Sequence, residues 1–366
     1  MAGTKRANVR DGDIVILNGD EMLSLLEGRE LEIVEIVQKT YEAHARGQSM
    51  LPRSTFVRFP EEKNRIIALP AYLGNNFAVA GVKWIASFPG NLERGMDRAS
   101  AVVILNSTET GRPQAIVEGS VLSAKRTAAS AALAARYLHD GQAAQVGIIG
   151  CGLISFEVAR FVLATLPGVE SFLIFDKKIQ KAKQFAAKIC MLSERLEVSI
   201  AQDAETVLRE CPLTVVATTA TSPHIHELSP SPQPRTILHV SLRDFAPAVM
   251  LSCDNVVDDI NHVCQAQTSL HLAEQSTGRR DFIRCSIGEL LLGQAAARNS
   301  SYDTTIFSPF GLGILDIAVA DYVFEQGIAK GIGTVLESFF PAAWTERRES
   351  PVQIAAAPYV AGRDGR

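Results

Sequence analysis

Hydrophobic and polar positions change their rhythm three times along the chain. Residues 19–48, GDEMLSLLEGRELEIVEIVQKTYEAHARGQ, place apolar side chains three and four apart, which predicts one or two amphipathic helices. Short runs follow that are rich in Val, Ile and Phe: STFVRF, RIIALP, FAVAGVKWIASF, SAVVILN and QAIVEGS. They predict strands, and NSTETGRP between the last two supplies a hairpin turn. SAKRTAASAALAARYL is then Ala-rich and predicts a helix.

From residue 145 the rhythm becomes an alternation. Strands are predicted at QVGIIG, SFLIFD, EVSIA, LTVVATT, TILHVSL and NVVDD, with helices at 153–166, 179–196 and 203–211 between them. This alternation predicts βαβ units and a parallel sheet. The third change is at FGLGILDIAVADYVFEQGIAKG, a long amphipathic helix expected to return to the first domain. The division expected is 1–128 for the first part of a substrate-binding and dimerisation domain and 129–315 for a dinucleotide-binding domain. A return helix is expected in 316–345 and a loose tail in 346–366.

Composition narrows this picture without changing it. The 366 residues are 47% hydrophobic and 21% charged, with a net charge of −4, so no overall basic field points to nucleic acid. No apolar run approaches the roughly 20 residues of a membrane span, and MAGTKRANVRDGD is not followed by an apolar signal segment. A cytoplasmic protein is expected. Its six cysteines are scattered, without metal-site spacing, so no metal is expected; Cys151 is expected to be a packing residue.

The candidate chemistry starts at VGIIGCGLIS. Gly150 ends a predicted strand and Gly152 opens a predicted helix, the arrangement that lets backbone N–H groups approach a pyrophosphate. Asp176 ends the next strand, where a carboxylate accepts from ribose hydroxyls and disfavours a 2′-phosphate. NAD is therefore the expected cofactor, with Lys177 and Lys178 beside that acid keeping NADP open, since a neighbouring cation accommodates the phosphate. Ser155, in place of a third Gly or Ala, is expected to be a tolerated variant at the helix–strand contact. Thr218 and Thr219, at a later strand end, are further candidates for the cofactor site. On the substrate side stand Arg53, Arg58, Lys83, Arg98 and Arg126. Lys83 interrupts an apolar strand, where a lysine is costly without an anion. Arg126, in the early part of the Ala-rich helix, suits a bidentate carboxylate clamp. Arg53 and Arg58 are expected on one strand and on opposite faces. Asp244 follows a strand and is a candidate general base. Glu118 is a candidate receptor for a substrate ammonium.

GVKWI, AKRTAASAALAARYL, IIGCGLI, VSLRDF and FGLGILDIA, in that order, resemble the ornithine cyclodeaminase/mu-crystallin family over residues 13 to 340. The resemblance implies an α/β fold: a Rossmann NAD-binding domain inserted in a split α+β substrate and dimerisation domain. The glycine turn would then lie deep in the chain because of the insertion. RIIALP, GVKWI, MDRASAVVILN, AIVEGS and IIGCGLI are similar to a diaminopropionate-forming branch, the N-(2-amino-2-carboxyethyl)-L-glutamate dehydrogenases. That branch implies NAD-dependent oxidative hydrolysis of the adduct to 2-oxoglutarate and L-2,3-diaminopropionate, a siderophore or peptide-antibiotic precursor. A pyridoxal-phosphate-dependent synthase would supply the adduct, and the enzyme would be a homodimer.

Carried over, Lys83 and Arg126 match the carboxylate-binding cations and Asp244 the catalytic aspartate, with Lys83 also counted as catalytic. Thr127, Gly150, Gly152, Leu153, Ile154, Asp176 and Ser241 fall with Thr218 and Thr219 in the cofactor set. The family's early arginine matches Arg53, whereas the branch places it at Arg58. Arg98 resembles the branch alone. Two other readings remain: an ornithine or lysine cyclodeaminase or an alanine or ketimine dehydrogenase, and a non-catalytic mu-crystallin-like protein that holds NAD(P)H.

Overall fold

A computed structural model describes residues 10, 12–60, 64–139 and 143–340. The tail expected at 346–366, and the end of the return segment beyond 340, lie outside the described residues. The first part of the chain runs β1 (Ile14–Leu17), α1 (Gly19–Leu26), α2 (Glu30–Ala45), β2 (Ser49–Met50), β3 (Thr55–Arg58), β4 (Arg65–Leu73), β5 (Val79–Ser87), β6 (Ala99–Asn106), β7 (Pro113–Glu118) and α3 (Gly119–Leu138). The second part runs β8 (Gln145–Ile149), α4 (Leu153–Thr165), β9 (Ser171–Phe175), α5 (Ile179–Cys190), β10 (Glu197–Ile200), α6 (Ala204–Glu210), β11 (Leu213–Val216) and β12 (Arg235–His239). It continues with α7 (Pro247–Leu251), β13 (Asp254–Val257), α8 (Ile260–Val263), α9 (Ser269–Thr277), β14 (Ile283–Ser286), α10 (Ile287–Leu291), β15 (Thr304–Ser308), α11 (Gly313–Lys330) and β16 (Thr334–Leu336).

Two sheets result. The first has the order β16-β1-β7-β6-β5-β4-β2, with β3 also on β4. Its pairs are antiparallel except β1 with β7. Alternation along β4 gives it two faces. Leu69, Ala71 and Leu73 are buried, whereas Tyr72 is exposed. The buried face is covered by α11, which packs on β4, β5 and β6 as it returns from the far end of the chain. The second sheet, β10-β9-β8-β11-β12-β15-β13-β14, is parallel throughout. Its inner strands β8, β11, β12, β13 and β15 are largely buried on both faces, as in a parallel sheet covered by helices. The strand order reverses between β8 and β11, and a doubly wound sheet opens its ligand crevice at such a point.

The alanines of α3 join the two parts. Small side chains let this helix lie close to both α2 and α4, and one apolar core runs from Val15 through these alanines to Phe307. The division expected at 128/129 therefore falls inside one continuous helix. The helix expected over 179–196 ends at Cys190, and a turn carries Met191 into solvent. The strands expected to reach residues 219, 242 and 259 stop at Val216, His239 and Val257. Their polar ends are loops, which carry Thr218, Thr219, Ser241 and Asp244 of the candidate set.

Candidate active site

The glycine turn leaves backbone N–H groups open to an anion. Gly150 sits at φ +93°, and a Cβ there would lie 2.6 Å from the Ala217 carbonyl oxygen, so only glycine fits. Gly152 precedes α4, whose N-terminus has no side-chain cap, and nothing stands within 4 Å of the point its Cβ would occupy. Uncapped N–H groups facing open space are an anion receptor. Leu153, 63% exposed, forms an apolar lip beside them, while Ile154 packs inward. Asp176 accepts from the N–H groups of Cys151 (2.9 Å) and Lys178 (2.8 Å), which holds its carboxylate at the turn. Ser155 is fully buried and donates to the Gly150 carbonyl oxygen. It is thus a latch on the turn, a role that the expectation of mere tolerance missed. Burial pushes the Cys151 thiol up to about 12, so it stays protonated as a packing residue. The residues fit NAD.

Lys83 and Arg126 meet on a residue that sequence reasoning passed over. Asp316, in the first turn of α11, is fully buried. Its carboxylate oxygens lie 2.6 Å from Lys83 Nζ and 2.8 Å from Arg126 Nε. Ser123 accepts from both cations, each at 3.3 Å. Two buried positive charges thus share one negative charge, which leaves the centre able to take a carboxylate. Burial, aided by Arg126 and opposed by Asp316, lowers the Lys83 ammonium to about 8. Arg126 also explains Gly311: a Cβ there would be 2.9 Å from the guanidinium. Asp258 fixes that loop by accepting from the N–H groups of Phe310 (2.9 Å) and Gly311 (2.7 Å). Thr127, one residue on, is half-buried.

Asp244 lies beyond the end of β12 and is fully buried. Thr218 donates to its Oδ1 and Ser241 to its Oδ2 (2.5 Å), with His239 Nε2 3.2 Å from Oδ2. His224 Nδ1 lies 3.9 Å from Oδ1 and makes no hydrogen bond. Burial raises the carboxyl pKa, but His239, Ser241 and Thr218 outweigh it and leave Asp244 at about 2. It is ionised at neutral pH, and a carboxylate that holds three donors is a weak base until one of them leaves. Thr218 and Ser241, expected at the cofactor, are therefore turned to Asp244, while Thr219 is exposed. Leu242 adopts φ +76°, a region that favours glycine, within the same short loop.

The remaining candidates divide. Arg58 stands opposite Arg65 at the end of the β3–β4 pair, and Arg98 donates to Ser87 (3.0 Å) at the edge of β5. Arg53 precedes β3 and is exposed, so the odd–even argument does not reach it. Glu118 caps α3: its carboxylate accepts from the N–H groups of Ser120 (2.7 Å) and Val121 (3.0 Å). Both oxygens therefore already accept from the first turn of α3.

A sequence model of the ornithine cyclodeaminase/mu-crystallin family matches residues 23–229. The chain is 27% identical to N-((2S)-2-amino-2-carboxyethyl)-L-glutamate dehydrogenase of Staphylococcus aureus, over 84% of this chain and 93% of that protein. It is 29% identical to alanine dehydrogenase of Archaeoglobus fulgidus, over 89% and 99%. Among solved structures, an archaeal alanine dehydrogenase dimer with bound NAD superposes with a TM-score of 0.80 at 27% identity, covering 90% of this chain and all of that one.

Proposed function

Because the chain belongs to the ornithine cyclodeaminase/mu-crystallin family, we propose that it is an NAD-dependent oxidoreductase that acts on a carbon–nitrogen bond of an amino-acid adduct. The substrate we assign is N-(2-amino-2-carboxyethyl)-L-glutamate. With NAD⁺ and water it gives 2-oxoglutarate, L-2,3-diaminopropionate, NADH and a proton. The observation that carries this choice is the excess of positive charge on one face of the first sheet. Lys83 and Arg126 share a single aspartate, and Arg58 and Arg98 stand farther along. A substrate with three carboxylates suits that face better than alanine or ornithine, each with one.

The turn at Gly150 and Gly152 holds the pyrophosphate and Asp176 the ribose. NAD supplies the hydride acceptor. Lys83 and Arg126 bind the carboxylate next to the reacting carbon and fix its hydrogen in a reactive orientation. Asp244 takes the proton from the amine or from the attacking water, once Thr218 or Ser241 has released one of its oxygens. The adduct would come from a pyridoxal-phosphate-dependent synthase, and the product would feed a siderophore or peptide antibiotic. The relatives favour one second reading, an alanine dehydrogenase. The test is NADH formation from the synthetic adduct, L-alanine and L-ornithine in parallel. The proposal expects NADH and 2-oxoglutarate in equal amounts from the adduct alone. NADH from alanine, with none from the adduct, overturns it.

A further inference from the structure

Two arginines outside the set considered so far complete a second cationic centre. Arg58 is directly opposite Arg65, and Arg65 is directly opposite Ser87. Directly opposed residues of antiparallel strands share a face, and like charges in that position repel. Arg98 reaches the same spot by donating to Ser87 Oγ at 3.0 Å. Lys83 and Ser87 are four residues apart on β5, so they lie on one face of the strand, about 13 Å apart at 3.3 Å per residue. The second centre therefore lies on the same side of the sheet as Lys83, and long side chains span much of the distance between them.

A further positive charge acts on Arg65 from the loop after β12. Burial, and then the charges of Arg243, Arg98 and Arg58, lower the pKa of Arg65. Arg243 is the neighbour of Asp244 and is held by the carbonyls of Gln267 (3.1 Å) and Ala266 (2.5 Å). Those two residues adopt φ +57° and +53°, so this arginine is fixed against a strained loop. Arg65 Nε is buried and has no acceptor. Among the described residues none of the four arginines has a carboxylate in ion-pair contact. Arg58, Arg65 and Arg98 thus converge at one end of β4 and β5, Arg243 acts on Arg65 through its charge, and the buried unmet donor of Arg65 Nε suits an anion.

We propose that Arg58, Arg65, Arg98 and Arg243 receive a second, distal carboxylate, the γ-carboxylate of a glutamate-type substrate, and that this anion ties the first sheet to the Asp244 loop. The inference rests on the oxidoreductase reading above and sharpens it. Lys83 and Arg126 take the carboxylate common to all amino and 2-oxo acids. The arginine centre distinguishes dicarboxylates from monocarboxylates. Arg65 and Arg243 are specificity-determining residues in this scheme.

Calorimetry of the enzyme–NADH complex with 2-oxoglutarate and with pyruvate tests it, because the two acids differ by the distal carboxylate. The wild type is expected to bind 2-oxoglutarate about 10- to 100-fold more tightly, the range expected for a charged hydrogen-bond pair. Arg65→Met and, separately, Arg243→Met are expected to cut that preference to about 3-fold or less while both still bind NADH. Arg58→Met guards against a disturbed Asp244 loop and is expected to weaken the preference in the same direction. Equal wild-type affinities, or variants that lose both acids alike, overturn the receptor. The reaction is read separately. NADH formed from the adduct without a preference for 2-oxoglutarate removes the receptor and keeps the reaction. A preference that depends on Arg65, without turnover of the adduct, keeps the receptor and changes the substrate.

Discussion

Asp316 is the one carboxylate that neutralises both Lys83 and Arg126. Asp316→Asn leaves two buried cations without their counter-charge and is expected to cost about 3–5 kcal/mol, measured by urea denaturation. Lys83 carries its own pH dependence. Its folded pKa of about 8 lies below the ordinary 10.5, so the unfolded chain binds the extra proton between those values, and this group makes stability rise with pH across that window. Carboxylate binding needs the ammonium and runs the other way: kcat/KM is expected to fall above about pH 8. Lys83→Arg should retain part of the activity and lose that fall, as a pH profile of NADH formation would show. Asp244, at about 2, is set low by its donors. Thr218→Val removes one of them, so the carboxyl pKa rises and the acid limb of kcat/KM should move to higher pH. An unmoved limb would remove Asp244 from the proton-transfer step. Lys83 and Asp244 stood out in the sequence because a charge interrupts an apolar run and an acid follows a strand. Asp316 did not, because helical spacing shows which residues share a face and not which cation waits beneath that face.

At the scale of elements, the join of β8 to α4 was the most legible part of the chain. Strand, glycine turn, helix and acid fall in a fixed order, and each has a local physical cause. Gly150→Ala would press a Cβ onto the Ala217 carbonyl, so NAD binding should be lost in a fluorescence titration even if the protein folds. Ser155→Ala removes the latch on that turn and is expected to cost about 1 kcal/mol and a few-fold in NAD affinity. Ends of elements were harder to read. Amphipathic spacing continues past Cys190 although the helix stops there, and Glu118 looks like a free strand charge until α3 begins beside it. β14 and β15 carry Arg, Cys, Ser and Thr among their few apolar residues, and the short helices α7, α8 and α10 have too few residues to show a period. The arginine centre was half visible: Arg58 and Arg98 carry it in sequence, while Arg65 and Arg243 join it only through strand register and the approach of the second sheet.

For the whole molecule, the insertion of one sheet within another was legible from the depth of the glycine turn, and α11 packs on β4, β5 and β6 of the first sheet. The outer face of the first sheet presents Val57, Tyr72 and Trp84, with Trp84 43% exposed. Exposed apolar side chains on one sheet face suit an interaction surface. The homodimer that the family resemblance implies would cover this face, so Trp84→Asp should turn a dimer into a monomer by light scattering. A monomeric wild type, or an unchanged variant mass, overturns this role for the face. The pairing of β1 with β16 has a temporal consequence. A ribosome delivers the first sheet's opening strand more than 300 residues before its closing one. The parallel sheet can be complete while Lys83 still has no counter-charge, because Asp316 is made later. Chains arrested before α11 should therefore resist protease around β8–β15 and be cut in β4 and β5. Late synthesis, rather than cofactor loading, then decides when the substrate side of the enzyme becomes a folded object.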